Sequence, residues 1–238
     1  MSCKIEILYP EACNLMGDDG NIRYLKECLK DAEFIETSLN DTPHFVSGDV
    51  SLIYMGSMTE KTQEMVIERL MPYRERLAEL NDNGTYFLMT GNSFEVFGKE
   101  INDVETGAIK CLDLLDFNVK RNIMNRRYSF LIGKHEDITM VGFRAQFTEC
   151  YLGAGEKPFM EMEKGDGMNS GSNAEGIVRN NFYGTYCIGP ILILNPQFTK
   201  MLFRKITGKD IPLVFEKEIT DAYNTRLAEF RRVDKKIH

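Results

Sequence analysis

The feature that most constrains this chain is a repeated change of hydrophobic period. Through the first hundred residues, short β-rich runs alternate with stretches of helical spacing. Residues 4–9 (KIEILY) read as a strand, and Ile22, Leu25 and Leu29 then form the apolar stripe of a helix from about Asn21. FIETSL (34–39) and VSLIYM (50–55) are the next strands. Val66, Leu70, Tyr73, Leu77 and Leu80 recur at helical spacing up to the stop signal Asn83-Gly84, and Pro72 either kinks that helix or begins a second one. TYFLM (85–89) reads as a buried strand, and 93–97 as a return to helix. Alternation of this kind means βαβ units, because neighbouring parallel strands need a crossover long enough to hold a helix. The expected core is a largely parallel sheet with helices on both faces.

The second half changes character. From about 114 to 153 the strand-like runs YSFLI and ITMVGF flank the turn GKHED, which predicts antiparallel additions to the sheet. Residues 153–176, rich in Gly, Asn, Ser and Glu, read as a long exposed loop. Helical spacing returns at 196–207, stopped by Gly208, and at 218–232. No repeat or low-complexity linker divides the chain, so one domain over 1–238 is expected.

Charge and cysteine usage exclude several functions. A net charge of -7 argues against nucleic acid or anionic membrane as the main partner, since both require a cationic surface. The basic end (Arg231, Arg232, Lys235, Lys236) reads as solvated. No apolar run approaches the length of a membrane span, and the opening MSCKIEILYP lacks the apolar stretch of a secretory signal. Six scattered cysteines without a CxxC pair fit reduced thiols of a cytoplasmic protein. Histidine is scarce, with only His44, His135 and His238, and no spacing suits a metal, so no metal or cofactor is assigned.

Four segments, in order, carry a family resemblance. LYPEACNLMGDDGN (8–21) is similar to the LYPExxNxxGDxGN opening of amidotransferase domains in cobyric acid synthase and lipid II isoglutaminyl synthase. FLMTGNSFEVFG (87–98) stands where that family has its nucleophile turn, I-C-G-G-Y-Q-L-L-G. GFRAQFTECYLG (142–153) resembles G-[FY]-E-x-H-x-G-x-T-x-L-G. EGIVRNNFYGTYCIGPILILNP (175–196) resembles E-G-x-x-x-x-x-x-x-G-T-Y-L-H-G-P-x-L-x-x-N-P. The resemblance implies a flavodoxin-like class I glutamine amidotransferase fold.

In that family a cysteine on a sharp strand-to-helix turn attacks the glutamine amide, and a histidine from a later loop serves as base. Matching the motifs places Gly91 at the cysteine and Ile188 at the histidine, and neither can do the chemistry. Glycine in place of a strained residue relieves the turn, because it tolerates positive φ. The resemblance also puts Gly56, Asn92 and Arg126 near the substrate cleft, with a surface arginine as the plain alternative for Arg126 and Arg127.

Replacement nucleophiles would be Cys187, Cys150 or Ser93. Ser93 reads instead as the cap of the helix beginning there, and the two cysteines as small buried hydrophobes. Glu11, Asp18 and Asp19 precede a helix, where capping and dipole stabilisation account for them. His135, in the turn GKHED, reads as solvent-exposed, His44 has no visible partner, and His238 is terminal. Gly165, Gly167 and Gly171 lack a P-loop's lysine and read as flexible loop. What emerges is a non-hydrolysing subunit serving a Mur-ligase-type ATP-dependent synthetase, docking through 14–20 and 153–176. Two alternatives stand beside it: a glutaminase with a relocated nucleophile, and a module binding a glutamine-like ligand.

Overall fold

The computed structural model describes residues 3–232, so His238, Lys235 and Lys236 lie outside the described residues. The first half follows the expected alternation: β1 (Lys4–Leu8), α1 (Asp19–Cys28), β2 (Glu33–Thr37), β3 (Leu52–Met55), α2 (Glu60–Leu70), α3 (Arg74–Asp82) and β4 (Tyr86–Thr90). Pro72 sits in a 3-10 turn, Met71–Tyr73, that separates α2 from α3, since its ring cannot continue the hydrogen-bond ladder.

Beyond β4 the chain forms β5 (Glu100–Asp103), β6 (Gly107–Lys110), β7 (Phe117–Arg121), β8 (Arg127–His135), β9 (Ile138–Gln146) and β10 (Thr148–Leu152). Then come β11 (Met160–Lys164), β12 (Ala174–Glu175), β13 (Ile177–Arg179), β14 (Phe182–Thr185), α4 (Ile191–Leu194), α5 (Pro196–Thr207) and α6 (Glu216–Arg232).

The main sheet runs β13-β14-β4-β3-β1-β2, parallel except for the edge strand β13. Side-chain alternation sends Ile53, Met55, Phe87 and Met89 to one face, against Val66, Leu70 and Leu77 of α2 and α3. Leu52, Tyr54 and Leu88 point to the other, against Leu25 of α1 and Phe198 and Leu202 of α5. Both faces are covered, which is why these strands read as nearly unbroken apolar runs.

The antiparallel strands depart from expectation in one respect. Only β13 joins the main sheet; the others build two further four-stranded sheets, β10-β7-β5-β6 and β12-β11-β8-β9. The segment 153–176 is also not a long exposed loop. It contains β11, paired with β8, and β12, and it buries Met160, Met162, Met168 and Glu175. A strand period was hidden in its polar composition, for Met160 and Met162 face inward while Glu161 and Glu163 face solvent. His135 ends β8 and is buried, stacked on Phe159 at 4.4 Å, not exposed in a turn. Its Nδ1 lies 2.7 Å from the Phe159 carbonyl, and burial pulls the imidazole below its ordinary range.

Candidate functional site

In a parallel α/β sheet the natural crevice lies beyond the carboxyl ends of the strands. Here β4 ends at Thr90, and the chain turns at once into a buried 3-10 turn, Gly91–Phe97, in place of the α-helix expected over 93–97. Gly91 takes φ +62°, the left-handed region that a side chain disfavours. A cavity of about 130 Å³ opens above it, and Ile188, just beyond β14, lines the same cavity. The structure therefore brings Gly91 and Ile188 together at one site.

The space around Gly91 is filled. A Cβ built there would overlap Ser57 Cβ and lie 3.3 Å from Ser57 Cα. Ser57 in turn is fixed by Asp18: its N–H donates to Asp18 Oδ2 at 2.5 Å, and its hydroxyl lies 2.6 Å from the same oxygen. Asp18 is fully buried and makes no capping bond to α1. Its other oxygen accepts from Thr90 Oγ1 at 2.8 Å, Asn21 Nδ2 at 3.0 Å and the Tyr54 hydroxyl at 3.1 Å. Burial raises the Asp18 carboxyl, and these bonds from Ser57, Thr90 and Tyr54 oppose the rise. The capping role expected of Asp18 is thus replaced by a different one. It ties together the loop before α1, the end of β3 and the end of β4.

Gly56 does not line the cavity; a Cβ there would overlap the Cys13 carbonyl and stand 2.9 Å from Asp18 Cβ. Asn92 does line it, but its amide is clipped to Met58, accepting from the Met58 N–H at 3.0 Å and donating to the Met58 carbonyl at 2.9 Å. Arg126 reaches the rim, exposed, its guanidinium over the rings of Phe147 at 5.2 Å and Tyr128 at 5.4 Å. Arg127 is instead paired with Glu149.

The replacement nucleophiles are absent from the cavity. Cys187 and Cys150 are fully buried, and burial pushes both thiols well above their ordinary range, so neither presents a thiolate. Ser93 is buried as well, and its hydroxyl faces the carbonyls of Thr90 at 2.7 Å and Met55 at 3.0 Å. It neither caps a helix nor meets the cavity. His44 donates its backbone N–H to the Glu6 carboxylate at 2.6 Å and does not line the cavity.

Sequence reasoning missed a polar network beneath the cavity. Glu95 is fully buried and accepts from Thr148 Oγ1 at 2.6 Å, the Tyr186 hydroxyl at 2.7 Å and Gln63 Nε2 at 2.8 Å. Arg121, also buried, donates to Gln63 Oε1 at 2.5 Å and to Glu64 Oε1 at 3.0 Å. Burial raises the Glu95 carboxyl, while Thr148, Gln63 and Tyr186 hold it down. Glu175 accepts from the Thr185 hydroxyl at 2.7 Å and from the Tyr186 N–H; burial dominates and lifts it to about 7. Gln63, Thr148 and Tyr186 line the cavity floor, so this network sets its shape. Among the described residues no cluster of His, Cys, Asp and Glu suits a metal, and no helix is long and apolar enough to cross a membrane.

A Rossmann-like sheet with a tight turn at the end of a central strand, facing a residue from a later loop, is the framework of class I amidotransferases. The chain belongs to the CobB/CobQ-like glutamine amidotransferase family, whose model matches residues 4–195. It is 25% identical to the lipid II isoglutaminyl synthase (glutamine-hydrolyzing) subunit GatD of Streptococcus pneumoniae, over 91% of this chain and 88% of that protein. It is likewise 25% identical to the Staphylococcus aureus subunit, over 81% and 79% of the two chains. Among solved structures, PurLQS from Thermotoga maritima superposes with a TM-score of 0.56 at 13% identity, covering 95% of this chain and 100% of that chain. A glutamine amidotransferase from the same organism superposes with a TM-score of 0.56 at 10% identity, covering 97% and 94%. These likenesses fix the fold.

Proposed function

We propose that this chain is a non-hydrolysing amidotransferase-like subunit. The observation that carries the reading is the packing of Ser57 into the space that any side chain at position 91 would need. Breaking a glutamine side-chain amide calls for a nucleophile to form the acyl intermediate and for a base that later protonates the departing ammonia. The family's motif puts Gly91 and Ile188 at those two positions, and neither has a reactive atom. Of the cavity's hydroxyls, Thr148 is committed to Glu95. Ser57 lies beside the Asp18 carboxylate with no imidazole to carry its proton.

The role that fits such a domain is docking. The curated relatives are named as subunits of a synthase, and the family resemblance supports a Mur-ligase-type ATP-dependent synthetase as the partner. The cell-wall setting of this chain rests on the same resemblance. A cytoplasmic location agrees with six cysteines that are all free. The test is ammonia release from glutamine, measured with and without the co-expressed synthetase. Background rates in both arms are expected. Turnover that disappears in Ser57→Ala, or a glutamine-analogue electrophile attached to Cys187 or Cys150, overturns the reading.

A further inference from the structure

The parallel strands have a second cavity at their opposite, amino-terminal end, about 270 Å³ in volume. Its floor is aromatic. Phe87 and Phe182, near the starts of β4 and β14, stack at 5.6 Å, and Phe97 meets Phe182 edge-on at 4.9 Å. Leu77 of α3 and Leu115 complete the apolar walls, and all five side chains are buried.

The rim is charged: its two cations are paired, and Asp82 adds an exposed carboxylate that accepts from the Asn180 amide at 3.5 Å. Arg74 donates through Nε to the Leu112 carbonyl at 2.5 Å and stands 3.4 Å from the Asp113 carboxylate. Arg179 donates to the Leu114 carbonyl at 3.0 Å and pairs with Glu156 at 3.1 Å. Both cations are already neutralised, so the rim offers an anion no net attraction. One buried polar atom is left over: Asn81 lines the cavity, and its Oδ1 is buried with no hydrogen-bond partner among the described residues. A buried acceptor without a donor is costly, and a ligand that supplies the donor recovers that cost.

We propose that this cavity is a binding site for a small, planar aromatic molecule that bears no negative charge and carries one N–H or O–H donor. The ring lies against Phe87, Phe97 and Phe182, and the donor reaches Asn81 Oδ1. Size permits it, since an apolar cavity of about 150 Å³ already holds benzene. The site is separate from the cavity above Gly91 and does not depend on what happens there.

Indole is the probe, because the chain contains no tryptophan and every indole photon then reports the ligand. Titration of the full chain should give saturable, blue-shifted emission. 1-Methylindole, which keeps the ring and loses the N–H, should bind about fivefold more weakly, the loss expected for one neutral hydrogen bond. Asn81→Ala should bring indole down to the 1-methylindole level and leave 1-methylindole unchanged. Methyl resonances of Leu77 and Leu115 should shift on titration, while those of Met58 and Ile188 stay still, which also holds if Asn81→Ala fails to fold. No saturation up to the solubility limit of indole, equal affinity of the two probes, or shifts at Met58 and Ile188 would each overturn the proposal.

Discussion

At Gly91 two penalties coincide for any side chain: a backbone at φ +62° and the body of Ser57 in the Cβ position. Gly91→Cys should therefore destabilise the fold by about 3 kcal/mol, combining a left-handed non-glycine residue with local overpacking. Adding Ser57→Gly should recover at least about 1 kcal/mol of that loss, although it also removes the Ser57 contact to Asp18. Denaturant midpoints of the four-member cycle measure the coupling, and strict additivity would show that Ser57 does not fill the site. The pair Gly91→Cys with Ile188→His alone should then fail to restore turnover.

Glu175 gives a second residue-scale expectation. Its carboxyl rises to about 7 in the fold against an ordinary 4.5, so the native state holds its proton more tightly than the unfolded chain. The stability linked to this group is fully present below about pH 4.5 and is lost as pH rises through 7, on the order of 3 kcal/mol in all. Glu175→Gln should flatten that decline relative to the parent, read as the difference in melting temperature between pH 5 and pH 8. A variant that keeps the full slope places the titration elsewhere. Such behaviour was not legible in the sequence, because Glu175 falls in a polar stretch and its burial depends on β12 pairing with β11. The same holds for Asp18, whose partners at 54, 57 and 90 are brought to it only by the sheet. That Gly91 and Ile188 share one cavity was legible, because the motif resemblance alone pairs them.

At the scale of elements, the parallel half was readable because each strand there is buried on both faces and stands as a compact apolar run between helical stretches. The later sheets were harder to read. β5 and β6 are short and half-exposed, and β11 hides two inward methionines among glutamates. A polar composition names a loop only when no period runs through it. The strands inside 153–176, β11 and β12, should therefore behave as sheet. Amide exchange at Met162 and Lys164, whose strand pairs with β8, should be slower than at 105–106, in the exposed turn between β5 and β6. Equal exchange at the two places would return the segment to loop.

For the whole molecule, the question is which face meets a partner. The docking role expected of 153–176 weakens once its apolar side chains are seen to point inward, and exposed hydrophobics gather elsewhere. Met16 and Arg126 stand at the rim of the cavity above Gly91, and Ile123, Met124 and Tyr128 flank Arg126 in sequence. Met124 is 83% exposed, and together with Ile123 and Tyr128 it gives this stretch three exposed large apolar side chains. Methionine, tyrosine and arginine together are the composition of interface centres, and such an interface needs on the order of 800 Å² from each partner. The synthetase proposed as partner should accordingly seat over the cavity mouth. Met124→Asp should weaken the co-purified complex at least tenfold, about 1.4 kcal/mol, because it buries a charge at the centre of the contact. Glu161→Lys, on the exposed side of β11, should change the affinity less than twofold. Titration of the two variants against the synthetase decides the matter: a complex broken by Glu161→Lys and untouched by Met124→Asp moves the interface back to 153–176. If the parent chain elutes at monomer mass while the synthetase passes unbound, the subunit role itself falls.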